Sequence, residues 1–182
     1  MSLKLATAAL CALLAVTIAA QKTQAESADY IDVGVSETLD RFFYSVPGAR
    51  ELAHKAVGIL VFPSVVKAGF GFGGEYGEGA LRLRGHTAGY YNTLSASFGF
   101  QIGVQARSVI IMFMTDQALA SFRSAYGFKV GVDGSIVVVN IGAAGAIDTD
   151  TLTSPIIAFV LDPQGLMYSL SLEGSKISKI ER

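Results

Sequence analysis

A strict two-residue alternation in the middle of the chain constrains its fold more than any other sequence feature. Between residues 94 and 107 every second position is apolar, and the positions between them are small or polar. The apolar positions are Leu94, Ala96, Phe98, Phe100, Ile102, Val104 and Ala106. Successive side chains of a strand point to opposite faces of the sheet, so this period indicates a strand with one apolar and one polar face. The next stretch, residues 109–114, is apolar throughout and predicts a central strand.

Glycine alternates with larger residues in a second strand-like segment, residues 65–76. One face of that segment carries Gly69, Gly71 and Gly73, while the other is mostly aromatic and includes Phe70 and Phe72. A strand with a bare face either bends sharply or lets another backbone come close, and we expect this at Gly71 and Gly73. Further strands are predicted at residues 58–62 (ending at Pro63), 80–84, 128–133, 135–142, 156–162 and 167–172.

Helical periodicity is confined to three short segments. Residues 28–44 place apolar side chains at helical spacing, residues 48–56 follow as a short second helix, and Thr115 or Asp116 can cap a third helix that ends near residue 125. The connections are short and no crossover helices recur, so the sheet should be mostly antiparallel. The predicted class is α+β: two amino-terminal helices, one inserted short helix, and a strongly curved sheet of seven to nine strands or a partly closed barrel.

The amino terminus has the order of a secretory signal peptide. Lys4 is followed by an uncharged apolar run over residues 5–20, and Thr23-Gln24-Ala25 offers a small-x-Ala cleavage site. A membrane anchor is the alternative, although the run is short for a span. We therefore expect a signal peptide over residues 1–25, a single domain over residues 26–182, and export to the periplasm or cell envelope. Cleavage would remove the one cysteine, Cys11, and leave a net charge of −3.

Composition and motifs argue against several function classes. A net charge of −1 gives no basic excess for nucleic-acid phosphates, and two histidines with one cysteine cannot build a Cys/His zinc site. Residues 69–74 match G-x-G-x-x-G, but strand-like residues follow where a nucleotide site needs a helix. No G-x-S-x-G motif surrounds any serine that His54 or His86 could activate. The close carboxylate pairs, Glu75/Glu78 and Asp148/Asp150, lie in apparent turns. We expect no enzymatic activity, no cofactor and no metal.

Four motifs, in order along the chain, resemble the SYLF domain. The first is the run from Ala56 to Pro63, and the second is Lys67-Ala68-Gly69-Phe70 with the glycines that follow it up to Gly79. The third is Ser97-Phe98-Gly99-Phe100-Gln101-Ile102-Gly103, and the fourth is the closing segment over residues 165–174. The order and spacing cover about residues 45–175, nearly the whole predicted mature chain.

The resemblance implies a non-enzymatic domain that binds membrane lipid. Phosphoinositides are the ligands of eukaryotic SYLF proteins, and some of those proteins bind actin, which export would make an implausible partner here. In those eukaryotic members a basic amphipathic segment ahead of the domain takes part in lipid contact, whereas residues 26–43 of this chain carry five acids against Arg41. We therefore expect that anionic lipid is contacted by the basic residues Arg41, Arg50, Lys55 and Lys67. Three of them, Arg50, Lys55 and Lys67, could converge on one edge. Apolar contact with the lipid is expected from Phe70 and Phe72. A cell-envelope structural or protein-interaction module without a lipid site is the alternative.

Overall fold

The computed structural model of the protein describes residues 26–134, 136–140, 153–164 and 174–182. Inside the strands, the side chains of residues 69–72, 97–103, 140 and 162–164 lie outside that description. The expected signal peptide, the strand predicted at residues 167–172 and the carboxylate pair Asp148/Asp150 also lie outside the described residues.

Three helices form where the sequence predicts them. Helix α1 (Ala28–Ser45) begins at Ser27, whose Oγ accepts a hydrogen bond from the backbone N–H of Tyr30 at 3.2 Å. Helix α2 is Ala49–Lys55, and helix α3 (Asp116–Ser124) begins at Thr115, whose Oγ1 accepts from the N–H of Ala118 at 3.2 Å. A hydroxyl at the N-cap satisfies one of the backbone donors that the first turn leaves unpaired, which is why these boundaries follow from local sequence.

The first two strands are longer than the sequence predicts. Strands β1 (Gly58–Leu83) and β2 (His86–Phe113) form one antiparallel hairpin of 26 and 28 residues, and each merges stretches that were expected to be separate strands. The prediction that Pro63 ends a strand is wrong, because a register shift between Phe62 and Val65 takes Pro63 out of the ladder with β2. A proline at such a bulge removes no ladder hydrogen bond. The hairpin turns at Arg84 and Gly85, which have φ angles of 50° and 83°.

Four short strands complete a six-stranded sheet in the described part of the chain. They are β3 (Phe128–Lys129), β4 (Val137–Asn140), β5 (Ile156–Gln164) and β6 (Lys176–Ile180). Strand β6 was not predicted. Residues 58–70 of β1, 102–113 of β2, β5 and β4 form a first half-sheet, in which only the β4–β5 pair is parallel. Residues 72–83 of β1, 86–98 of β2, β6 and β3 form a second half-sheet. The curved, mostly antiparallel α+β fold is thus confirmed.

Two hydrophobic cores lie on opposite faces of the first half-sheet. One core joins the two half-sheets to α3, whose Phe122 ring lies 4.8 Å from the ring of Phe113 and 5.0 Å from that of Tyr91. Phe113 belongs to the first half-sheet and Tyr91 to the second, so this helix ties the halves together. The other core packs α1 and α2 on the outer face, where Phe42 meets Phe159 at 4.8 Å.

The two halves of β1 come into direct contact at two glycines. A Cβ on Gly77 would lie 2.7 Å from the carbonyl oxygen of Ser64, and a Cβ on Gly79 would overlap the carbonyl oxygen of Val61. Only residues without a side chain allow the backbone to approach this closely. The expected close approach in the glycine-rich strand therefore occurs at Gly77 and Gly79, whereas the side-chain position at Gly71 lies outside the described part.

Candidate functional site

A groove with several cations opens at the end of the sheet that holds the β1–β2 turn. It lies between α1, α2 and both ends of β1, and its volume is about 810 Å³. We call it the cationic groove. Its basic residues are Arg50, His54, Lys55, Arg82 and Arg84, its acids are Asp40 and Asp116, and its apolar wall includes Leu39, Phe43, Val57 and Ile59.

The cations of this groove differ in how firmly they are held. Arg82 is engaged, because its guanidinium pairs with Asp32 at 3.4 Å and donates to the backbone carbonyl of Gly85 at 3.3 Å. The guanidinium of Arg50 lies 4.9 Å above the ring of Phe43, which orients it by a cation–π contact. Lys55 and Arg84 are exposed. The groove thus presents two exposed cations and one stacked cation to a ligand, beside the engaged Arg82.

Arg84 adopts an unusual backbone conformation in this groove. It is the non-glycine residue with a positive φ among the described residues, and it occupies the first position of the two-residue hairpin turn. Such turns require a positive φ at both central positions, and asparagine, aspartate and glycine adopt it most easily. The turn therefore holds an arginine where a smaller residue would be less strained, and it places that arginine on the groove wall.

Helix α1 is fixed to the hairpin beside the groove by the carboxylate of Asp32. This carboxylate accepts hydrogen bonds from the hydroxyl of Thr87 at 2.7 Å and from that of Tyr90 at 3.0 Å, in addition to its ion pair with Arg82. Burial raises the pKa of the Tyr90 hydroxyl, and the hydrogen bond to Asp32 raises it further. One acid of the helix therefore positions both the helix and the Arg82 side of the groove.

Arg41 lies apart from the cationic groove. It lines a second depression with Glu26, Glu37 and Asp40, and its guanidinium donates to the hydroxyl of Ser108 at 3.1 Å. Two acids of α1, Glu37 and Asp40, thus line the same depression as Arg41. Of the four basic residues expected to contact lipid, only Arg50 and Lys55 share the cationic groove.

Lys67 is buried, with 8% of its surface exposed. In the β1–β2 ladder it lies opposite Gln105, which is 2% exposed, and the expectation that Lys67 joins Arg50 and Lys55 at one edge is wrong. Nearby, the carboxylate of Glu75 forms a buried ion pair with Arg107. The inward face of the hairpin is therefore polar here, and the ladder places Lys67 on it.

The apolar face of the alternating β2 segment points outward. On this face Leu94 is 56% and Val104 is 65% exposed, whereas Gln105 and Arg107 on the polar face are buried. Phe70 and Phe72 pair in backbone register with Ile102 and Phe98, but their expected lipid contact falls on side chains outside the described part of the structure. The alternation in the sequence predicts two different faces for this segment but does not show which of them is buried.

Comparison with known proteins identifies the carboxyl-terminal part of the chain. Residues 94–181 match the family model Ysc84, described as a Las17-binding protein actin regulator. A search of curated proteins finds no match. Among the residues that the structure describes, no helix has both the length and the apolarity to cross a membrane. The matched region includes the third and fourth motifs, and this match confirms the resemblance of residues 94–181 to the SYLF domain.

Proposed function

We propose that this protein is an exported, non-enzymatic domain that associates with membranes containing anionic lipid, and that the cationic groove receives the lipid head group. The SYLF resemblance implies lipid binding as a class of function. The main support for the groove as the binding site is that Arg50, Lys55, Arg82 and Arg84 all line it. This grouping is notable in a chain whose net charge is slightly negative.

The groove has the size and chemistry for a phosphate-bearing head group. Its volume lies within the range of about 300–1,000 Å³ that is usual for small-molecule sites. Arginine guanidinium groups donate paired hydrogen bonds to phosphate oxygens, and the apolar wall at Phe43 and Ile59 can pack against the glycerol end of a lipid. Asp40 and Asp116 reduce the local positive potential and favour weak, reversible binding.

The electrostatic contribution is modest and sensitive to salt. A basic residue near an anionic membrane contributes about 1 kcal/mol, so Arg50, Lys55 and Arg84 together contribute about 3 kcal/mol at low ionic strength. Salt screens this attraction over a Debye length of about 10 Å at 0.1 M. The acids of α1 oppose it, so binding should weaken strongly as salt is added.

Reversing the charge of Lys55 and Arg84 together is expected to lower binding to anionic vesicles by about tenfold or more at low salt. The measurement is flotation with vesicles of phosphatidylcholine alone and with added phosphatidylglycerol. The double variant Arg123→Glu, Lys179→Glu is the matched control, because it makes the same charge change at exposed positions outside the groove. Soluble inositol phosphate should compete with the vesicles if the groove binds a head group.

Two outcomes would contradict this proposal. Equal recovery of the unaltered protein with neutral and anionic vesicles, or no recovery with either, would remove the electrostatic site and favour an interaction module without a lipid site. Equal losses in the groove variant and the control variant would show that net charge matters and the groove does not.

The export part of the proposal depends on the charged, apolar and small residues in residues 1–25. Amino-terminal sequencing of the natively produced protein should begin near Gln21 or Glu26. An intact Met1 on a membrane-embedded product would contradict cleavage and support the anchor alternative.

A further inference from the structure

A single row of exposed side chains crosses four strands of the second half-sheet. Tyr76 in β1 lies opposite Leu94 in β2, Leu94 lies opposite Lys176 in β6, and Lys176 lies opposite Lys129 in β3. Directly opposed residues of a sheet present their side chains on the same face. All four are exposed, with Tyr76 at 43% and Leu94 at 56%. We call these four residues the outward row.

The outward row begins where helix α1 stops covering the sheet. On the same face and nearer the turn, Ala80 is buried in the core beneath the helices and the partly buried Tyr90 packs against that core. The next position, Glu78, is buried and is held by the carboxyl-terminal Arg182 and by the hydroxyl of Tyr76. Beyond the row, Gly74 and Ala96 are also exposed. The face therefore changes from covered to open over two residues along each strand.

The row is apolar on one side and cationic on the other. Tyr76 and Leu94 form the apolar end, Lys129 and Lys176 the cationic end, and the row itself contains no acid. A tyrosine ring is suited to the boundary between water and hydrocarbon, and a lysine can extend its ammonium group to lipid phosphates while its methylenes stay against apolar surface. Charge complementarity thus favours an anionic bilayer surface over an uncharged apolar partner.

The buried face of the same strands explains why this surface stays outward. If the opposite face of these strands pointed outward, Thr93, which is now only 7% exposed, would face water. Lys129 and Lys176 would then lie in the core. An unpaired charge in a core is far less stable than an exposed leucine, so the fold keeps the apolar positions outside. Apolar positions on the first half-sheet, Val66 and Val104, are exposed as well.

We propose that the outward row of the second half-sheet lies directly on an anionic bilayer, with Leu94 and the ring of Tyr76 in the interfacial layer and Lys129 and Lys176 on the lipid phosphates. This inference rests on the proposed membrane association and adds to it a contact surface separate from the cationic groove. It involves none of the residues that line that groove.

The absence of tryptophan from the chain allows a direct test, since one introduced indole reports on one position. The emission of Leu94→Trp should shift to the blue on anionic vesicles and be quenched by lipids with brominated acyl chains. The matched control is Val33→Trp, at a valine on α1 that is 57% exposed and outside the row. Its emission should not change. Urea unfolding of both variants verifies that each is folded.

Charge reversal tests the cationic end of the row. The double variant Lys129→Glu, Lys176→Glu should bind anionic vesicles about tenfold more weakly than the unaltered protein. Lys179→Glu should bind nearly as well, because Lys179 lies on the opposite face of β6 from Lys176.

The outcomes separate this inference from the proposed function. If the unaltered protein binds no anionic vesicle, the proposed function fails. If it binds and the groove variant loses binding while Leu94→Trp shows neither shift nor quenching, only the outward row is refuted. A blue shift that depends on protein concentration without vesicles would show a contact with a second copy of the chain and would also overturn the proposal.

Discussion

Gly79→Ala should destabilise the fold by about 3 kcal/mol or more, a large part of the 5–15 kcal/mol that is usual for a domain. A Cβ at this position would lie 2.8 Å from the carbonyl carbon of Val61 and 2.8 Å from Cδ1 of Phe62, and it would overlap the Val61 oxygen. Both Val61 and Phe62 are buried, so displacing either of them would disrupt close packing in the interior. The measurement is the urea midpoint of unfolding.

Gly74→Ala is the matched control for this prediction. It makes the same change in the same strand, but its Cβ would meet only the carbonyl oxygen of Ser95, at an ordinary 3.9 Å. We expect its midpoint to stay close to that of the unaltered protein. Equal midpoints for Gly79→Ala and Gly74→Ala would mean that the two halves of β1 do not touch as the structure shows.

Arg107→Leu should destabilise the fold by about 3–5 kcal/mol, because it leaves the Glu75 carboxylate buried without its ionic partner. The side chains of Arg107 and Glu75 are 2% and 6% exposed, so water cannot replace the lost contact. The measurement is again urea unfolding at neutral pH. The same truncation at a surface ion pair would have a much smaller effect.

The double variant Glu75→Leu, Arg107→Leu separates loss of the pair from loss of packing. Replacing both members of a buried pair by apolar residues is often close to neutral, so the double variant should regain most of the lost stability. If its stability is as low as that of Arg107→Leu, the size and shape of the arginine matter more than its charge.

Local sequence determines the helices of this protein. Ser27 and Thr115 mark the starts of α1 and α3 because a hydroxyl can satisfy backbone donors within its own turn. The apolar spacing of α1 likewise identifies Ile31, Val35 and Phe42, which are all buried. These features depend on residues a few positions apart, so no knowledge of the rest of the fold is needed.

The strand boundaries depend on pairing between distant residues. Pro63 was expected to end a strand, but its position in a bulge opposite β2 lets β1 continue to Leu83. Strand β6 was missed because five residues at the end of the chain, three of them charged or polar, show little alternation. It becomes a strand by pairing with Tyr90–Leu94 of β2. Such pairings bring together residues that are far apart in sequence.

The candidate site was only partly evident from the sequence. Arg50 and Lys55 could be selected because they lie on one short helix, whereas Arg82 and Arg84 were predicted only as part of a strand over residues 80–84. The long hairpin brings the end of β1 back beside α2, so that Arg50, Lys55, Arg82 and Arg84 all line one groove. Lys67 is only eight residues beyond Ile59 on the groove wall, yet the strand carries it into the interior.

Alternation is a property of neighbouring residues, so the pattern alone shows that the middle of this chain is a strand with one apolar and one polar face. Which of the two faces is buried depends on the packing of distant parts of the chain. Strand β2 turns Gln105 and Arg107 inward and leaves Leu94 and Val104 exposed, against the usual preference of apolar side chains for the interior. The reason is that burial depends on what covers a face: the inward arginine gains an ionic partner in Glu75, whereas α1 ends its cover of the outer face short of Leu94.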